Sequence, residues 1–357
     1  MKIVIDVKYS DTFTATSKAR EDVNAILKKN GYKIKYIDIK PVKNNLDLFK
    51  NINYCYNQLK EILKNIPHNS VLIFQYPFDS MNYKFSLSIK DTCSKKKIKT
   101  IVLIHDLNSL RTSSKIGKIY YKYYIREFKF LNNFDYVICH NAKMKEYLQI
   151  NNIKSEKLVS LELFDYLISN SKTENILAHD YKRVVIAGNL SKEKSGYVYK
   201  LNEMKFNNYL YNLYGINYIN EIDSRIKYCG TFKSDKPNTH IYTGFGLVWD
   251  GISYNECSGY FGKYLQWNNP HKFSLYIACG IPVIVWSKSA LSEFVTENKI
   301  GICVESLEEL DEFFRKLTKK QYQEYCKNVS KIKNDVTKGN FLIHAIKKCL
   351  GDKSEKI

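Results

Sequence analysis

The stretch Asn268-Asn269-Pro270-His271-Lys272-Phe273-Ser274-Leu275-Tyr276-Ile277-Ala278-Cys279-Gly280-Ile281-Pro282-Val283-Ile284-Val285-Trp286 is the richest in chemistry. Proline in its first turn opens a helix, Gly280 stops it, and a buried strand is entered through Pro282. The helix N-terminus then carries His271 and Lys272. Its amides, dipole and ammonium can grip a diphosphate, although Pro and Gly are also ordinary helix punctuation. A second candidate is Gly188-Asn189-Leu190-Ser191-Lys192, beyond the apolar run Val184–Ala187. There the glycine lets backbone approach a ligand and Lys192 can meet phosphate charge; a Gly-Asn step also reads as a plain turn. The chain has neither a Walker loop nor the GxGxxG dinucleotide spacing.

Proton transfer points elsewhere. His105-Asp106 follows the run Ile101–Ile104, and either group at a strand's carboxyl end can take a proton from a sugar hydroxyl. The same pair also suits a helix cap. Asp11, in the loop after the first strand, is the remaining candidate base. In that loop Thr16 and Ser17 offer hydroxyls and a helix start for sugar or phosphate oxygens, or a simple N-cap. His140-Asn141 is a similar but lesser pair.

These residues need strands that end where they stand. Strand-like runs Lys2–Val7, Lys33–Ile39, Val71–Phe74, Thr100–His105 and Tyr136–His140 alternate with helical patterns at Lys18–Asn30, Leu46–Leu63, Lys84–Cys93, Ile116–Leu131 and Lys143–Leu148. Such alternation marks parallel sheets built from βαβ units. The grammar restarts after an aperiodic stretch. Strands are expected at Arg183–Ala187, Arg225–Tyr228, Gly246–Trp249, Pro282–Val285 and Gly301–Val304, and helices at Lys272–Cys279, Ala290–Glu297, Leu307–Leu317, Lys320–Ile332 and Phe341–Leu350. The expected fold is α/β, with two Rossmann-like doubly wound domains at 1–165 and 181–335, a linker at 166–180 and a C-terminal helical segment at 336–357.

The 357 residues suit two domains. Lysine and arginine number 56 against 36 acidic residues, a formal charge of +20. That attracts nucleotides, nucleic acid or anionic lipid, but no helix-turn-helix, zinc-finger or aromatic RNA-binding signature accompanies it. Nine cysteines without a CxxC fit reduced thiols rather than disulfides or zinc. The N-terminus reads as a strand and no apolar run reaches membrane-spanning length, so a cytoplasmic protein without a transmembrane segment is expected.

The ordered motifs resemble those of GT-B glycosyltransferases, whose two Rossmann-like domains face each other across a cleft. More narrowly, IVIDVKYSDTFTATSKAREDV, LIHDLNSLR, VICHNAKMKEYL, AGNLSKEKSGYVYKL, FGLVWDG and NPHKFSLYIACGIPVIVW look like the bacterial galactofuranosyltransferase-like sugar transferases. Within these they resemble the branch that extends N-acetylglucosamine on serine-rich repeat adhesins.

The resemblance implies a UDP-sugar co-substrate held by the C-terminal domain, a glycosylated serine-rich repeat protein as acceptor on the N-terminal domain, and a homo-oligomer. The C-terminal helix would cross back to the first domain. Gly188, Asn189 and Lys192 would border the donor. Asn269, Pro270, His271 and Lys272 would hold its diphosphate, and Phe245, Trp249 and Asp250 would line the same cleft, with Gly280 closing the donor-binding stretch. The loop carrying Thr16 and Ser17 would face the acceptor or the sugar. Leu275 and Trp267 stand where the large retaining GT-B group carries two glutamates, and no Asp-x-Asp triplet occurs. An inverting, metal-independent transfer of glucose or N-acetylglucosamine is therefore expected, with no cofactor, Lys and the helix dipole offsetting the leaving charge. Lys272 is expected to be exposed, so its loss would weaken UDP binding with little effect on melting. The alternatives are a non-catalytic GT-B subunit that binds the adhesin and a galactofuranosyltransferase of surface polysaccharide.

Overall fold

The structure is a computed structural model that describes residues 1–9, 15–40, 44–77, 83–111, 126–169, 180–219 and 224–351. The chain divides into two compact units, one of Met1–Glu162 with the segment from Phe341 onward, the other of Leu163–Asn340.

The first unit is built on β1 (Lys2–Tyr9), β2 (Lys33–Ile39), β3 (Val71–Tyr76), β4 (Lys99–Ile104), β5 (Tyr136–Cys139) and β6 (Leu158–Ser160). They form one parallel sheet in the order β2-β1-β3-β4-β5-β6. The helices α1 (Ala15–Lys29), α2 (Asn45–Lys64), α3 (Tyr83–Lys95) and α4 (Ala142–Ile150) connect strands. Two start at asparagine caps: Asn44 accepts from the Asp47 amide and Asn141 from the Met144 amide. Ile5, Leu59, Phe74, Phe85, Val102, Phe134 and Val137 share a core sealed from water. Such continuous apolar strands are what a parallel sheet covered on both faces requires.

The second unit repeats the architecture with β7 (Arg183–Asn189), β8 (Leu210–Ile216), β9 (Ile226–Tyr228), β10 (Phe245–Val248), β11 (Val283–Trp286) and β12 (Gly301–Val304), ordered β12-β11-β10-β7-β8-β9 and all parallel. Helix α5 (His271–Cys279) packs on α6 (Lys319–Lys338). Helix α7 (Asn340–Leu350) buries Phe341, Leu342, Ala345, Ile346 and Cys349; from Phe341 on it belongs to the first unit.

Three differences from the sequence reading have physical causes. The units divide at 162/163 and 340/341 against expected bounds of 165 and 335, and the second shift arises because α6 runs unbroken through residue 336 from a Thr318–Gln321 capping box. Strand β6 is too short to show a period. In β8 the run Leu-Tyr-Asn-Leu-Tyr-Gly-Ile is broken by Gly215, whose added Cβ would lie 1.8 Å from the Gly188 carbonyl oxygen. Residues 126–131 are helical, while most of the expected basic helix and the linker's residues 170–179 lie outside the described residues.

Candidate active site

In the second sheet the chain leaves β7 toward β8 and β9, then returns to β10 on the other side. The carboxyl ends of β7 and β10 therefore form a switch point, the place where open α/β sheets bind ligands. The two strands pair only at Phe245↔Val184 and Gly246↔Val185. Beyond that the Tyr276 hydroxyl joins them, accepting from the Ala187 amide at 2.9 Å and donating to the Leu247 carbonyl at 3.3 Å. Gly246 makes room for it: an added Cβ would lie 2.1 Å from a Tyr276 ring carbon.

Lys272 stands one turn before Tyr276, on the same helix face. Its ammonium donates to Asp250 Oδ1 at 2.7 Å and to the Trp249 carbonyl at 3.0 Å, which leaves the third of its donors for an anion. The first turn of α5 opens at Pro270, and no side chain caps it. The expectation of an exposed Lys272 is corrected, because the Lys272 and Asp250 side chains are only 13% and 8% exposed.

Gly188 and Asn189 lie exposed at the end of β7. Gly188 has φ +135°, open to glycine but rarely to other residues. Asn189 Oδ1 accepts from the Ser191 amide and Asn217 Nδ2, each at 3.0 Å, while Lys192 Nζ lies 5.1 Å from the Tyr199 ring centroid. The loops after β7 and β10 are sewn together, the Gly251 amide donating to Lys194 O at 2.8 Å and the Tyr197 amide to Gly251 O at 3.1 Å. This brings Gly188, Asn189, Lys192, Asp250, Pro270 and Lys272 to one end of one sheet, with Asn269 buried beside them.

Four expected donor residues take other positions, the first being Phe245, which starts β10 with its ring buried against Phe314 and Tyr322. The Trp249 indole is fully buried and donates from Nε1 to the Ser253 carbonyl, so only its backbone serves the site. Gly280 is the left-handed C-cap of α5, about 12 Å along the axis from Lys272, and belongs to the wrong end of the helix. The His271 ring packs 4.8 Å from Tyr166 and its Nε2 donates to the Asp165 carbonyl at 3.3 Å, which commits that nitrogen to protein.

The first sheet has its own switch point, between β1 and β3. Beneath it Arg20 Nη1 donates to Asp6 Oδ1 and Asn24 Nδ2 to Asp6 Oδ2, both at 2.6 Å. Gln75 Nε2 donates to Asn24 Oδ1 at 2.9 Å, and His105 Nε2 lies 2.7 Å from Gln75 Oε1. Arg20 also donates from Nη2 to the Pro77 carbonyl. All five side chains are buried.

The loop after β4 is thus pinned at its start by His105. Farther along it is pinned by Glu127, which accepts from the amides of Asn108 and Ser109 and from the Tyr76 hydroxyl at 2.7–2.9 Å. Burial pushes the Glu127 carboxyl up, against these hydrogen bonds. Between the two anchors Asp106 stays half-buried and pairs with Arg111 at 3.1 Å. His140 is no rival base: burial lowers its pKa to about 4, and it donates to the Ile104 carbonyl. Asn141 is a helix cap. Asp11 lies outside the described residues, and Thr16 and Ser17 stand in the first turn of α1.

Among the described residues no group of three or more His, Cys, Asp or Glu side chains is placed to hold a metal ion. All nine cysteines are free, and burial pushes Cys93, Cys139 and Cys279 up to about 12, away from nucleophilic use. No described helix is long and apolar enough to cross a membrane. Sequence reasoning missed Asp6, Arg20, Asn24, Gln75, Glu127 and Tyr276. Asp6 within IVIDV and Gln75 within VLIFQY carried a usable signal, since a polar residue inside an apolar parallel strand must find partners.

Comparison with known proteins places the chain in a family and a fold. Residues 1–163 match the model of the glucosyltransferase 3-like N-terminal domain, and residues 184–349 that of its C-terminal domain. The chain is 31% identical to the beta-1,6-galactofuranosyltransferase WbbI of Escherichia coli (strain K12) over 297 residues, covering 83% of each protein. It is 32% identical to glucosyltransferase 3 of Streptococcus gordonii over 120 residues, 33% of this chain and 35% of that protein. Its fold resembles the sucrose-phosphate synthase of Thermosynechococcus elongatus with a TM-score of 0.66 at 11% identity, over 99% of this chain and all of that one. Two parallel six-stranded sheets, each with a topological switch point, and matched family domains over nearly the whole length lead to one assignment: the chain belongs to the glucosyltransferase 3-like family of GT-B glycosyltransferases.

Proposed function

We propose that this glycosyltransferase moves a hexose, glucose or N-acetylglucosamine, from a UDP-sugar to a GlcNAc-modified serine-rich repeat protein by a single inverting displacement that requires no metal. The observation that carries the reading is Lys272 on the uncapped first turn of α5, at the β7/β10 switch point. There the helix amides and the ammonium offset the charge that develops on the leaving diphosphate. Gly188 lets the backbone approach that diphosphate, and Lys192 adds a second cation.

The first unit supplies the base. Asp106 ranks above His105 because its carboxylate is half-buried while the histidine ring is buried within a polar network. In the reaction the acceptor hydroxyl gives its proton to the Asp106 carboxylate and its oxygen forms the new bond to C1. The C1–O bond to UDP breaks, and its electron pair leaves on the diphosphate.

A second reading, transfer of galactofuranose, is favoured by the Escherichia coli relative, which aligns over most of both chains. The test offers the protein UDP-glucose, UDP-N-acetylglucosamine, UDP-galactose and UDP-galactofuranose in turn with a GlcNAc-Ser peptide and scores UDP release. Turnover of UDP-galactofuranose alone selects the second reading. UDP release from none, with tight UDP binding retained, favours an adhesin-binding subunit.

A further inference from the structure

The hydrogen bonds beneath the first switch point have a direction. Asp6 is paired with Arg20, a group with donors only, so its carboxylate presents acceptors to both neighbours. Asn24 must then turn its NH2 toward Asp6 Oδ2, which leaves its Oδ1 facing Gln75. Gln75 must give that oxygen its own NH2, and so presents Oε1 to His105 Nε2. That amide oxygen can only accept, so His105 Nε2 must carry the proton. The carboxylate at one end thus fixes both amide orientations and the tautomer at the other, decisions that side-chain positions alone leave open.

From this relay we infer that Arg20, Asp6, Asn24 and Gln75 are positioning residues that lock His105 as the Nε2–H tautomer and so hold the loop that presents Asp106. The inference rests on the reading that this loop carries the base. The relay crosses three elements, from β1 through α1 and β3 to the residue after β4. The His105 amide also donates to the Tyr76 carbonyl at 2.7 Å, so the ring and the backbone of one residue are tied to β3. An isosteric change at Asp6 should travel the whole way. In Asp6→Asn the new amide must keep its oxygen on Arg20 and turn its NH2 to Asn24. Both downstream amides then flip, and His105 Nε2 becomes the acceptor.

The experiment is nitrogen NMR of the full chain labelled with 15N-histidine and free of any sugar nucleotide, the His105 signals being identified by their loss in His105→Gln. The expected spectrum has a protonated, pyrrole-type Nε2 and a pyridine-type Nδ1, and these signatures exchange in Asp6→Asn. With them kcat should fall about 10²-fold in Asp6→Asn, the cost of a displaced catalytic group, while the KM for the sugar nucleotide holds. A pyridine-type Nε2 in the unmodified protein overturns the proposal whether or not the variant folds. Unexchanged signatures, or an unchanged kcat, in a folded Asp6→Asn also overturn it. Because the tautomer is read without substrate, its failure is separate from failure of the transferase reading, which the UDP-release panel decides.

Discussion

Lys272 Nζ lies 2.7 Å from Asp250 Oδ1 with both side chains largely buried, so the cation assigned to the donor diphosphate is already half of an ion pair. The pair carries no net charge, and the attraction for a second anion comes from the remaining ammonium donor and the α5 amides. Removing the lysine also strands a buried carboxylate. Lys272→Ala should therefore weaken UDP binding and lower stability together, by about 3 kcal/mol as for other broken buried pairs. Lys272→Met combined with Asp250→Leu should recover the stability and leave UDP binding weak. Urea unfolding and UDP calorimetry on both proteins check this; a Lys272→Ala protein as stable as the parent would mean that the pair is not formed in solution.

The seat of α5 depends on Gly246. In Gly246→Ala the new methyl lies 2.1 Å from the Tyr276 ring, and the ring that bridges β7 and β10 must move. A loss of about 1–3 kcal/mol is expected, with weaker UDP binding because Lys272 shares the helix face. Tyr276→Phe isolates the hydrogen bonds: it frees the Ala187 amide and the Leu247 carbonyl, at about 1–3 kcal/mol. Melting curves of the two variants give the comparison.

His140 makes stability depend on pH. Its folded pKa is lowered from 6.5 to about 4 by burial, so the unfolded chain binds the extra proton first. Its contribution is complete above pH 6.5, declines as the pH falls toward 4, and amounts to about 3 kcal/mol across that window. Urea midpoints from pH 7 to pH 4 should fall more steeply for the parent than for a folded His140→Gln protein. Equal slopes would assign the acid sensitivity to other groups.

Metal independence is a separate expectation. Turnover should survive EDTA if, as proposed, Lys272, Lys192 and the α5 amides meet the charge of the departing diphosphate. Loss of turnover in EDTA, restored by manganese or magnesium, would contradict that assignment.

The fold was legible because most strands of the two parallel sheets are short apolar, β-branched runs that alternate with helical spacing, β6 and β8 being the exceptions. The place of Lys272 in the first turn of a helix was legible because Pro270 and Gly280 bracket that helix, whereas the packing of His271 against Tyr166 was not. Asp250 could not be paired with Lys272 from sequence, since their meeting depends on α5 packing against the end of β10. The buried state of Lys272 follows from the same contact. Gly280 stands apart from Lys272 because a motif read as a unit spans both ends of a helix, and Gly280 is its C-cap. Trp249 misled because a residue just past a strand end can turn its ring into the core while its carbonyl serves the site. Asp6, Asn24 and Gln75 lie far apart in sequence, and only the order β2-β1-β3-β4 gathers them under His105.

The stereochemistry of the product tests the central claim most directly. A single displacement at C1 of an α-linked UDP-sugar, with Asp106 taking the acceptor proton, must leave a β-glycoside. The anomeric proton coupling in the NMR spectrum of the purified product, made with whichever UDP-pyranose the panel selects, reads this without reference to any variant. A β-linked product is expected; an α-linked product would contradict the inverting mechanism and the role given to Asp106.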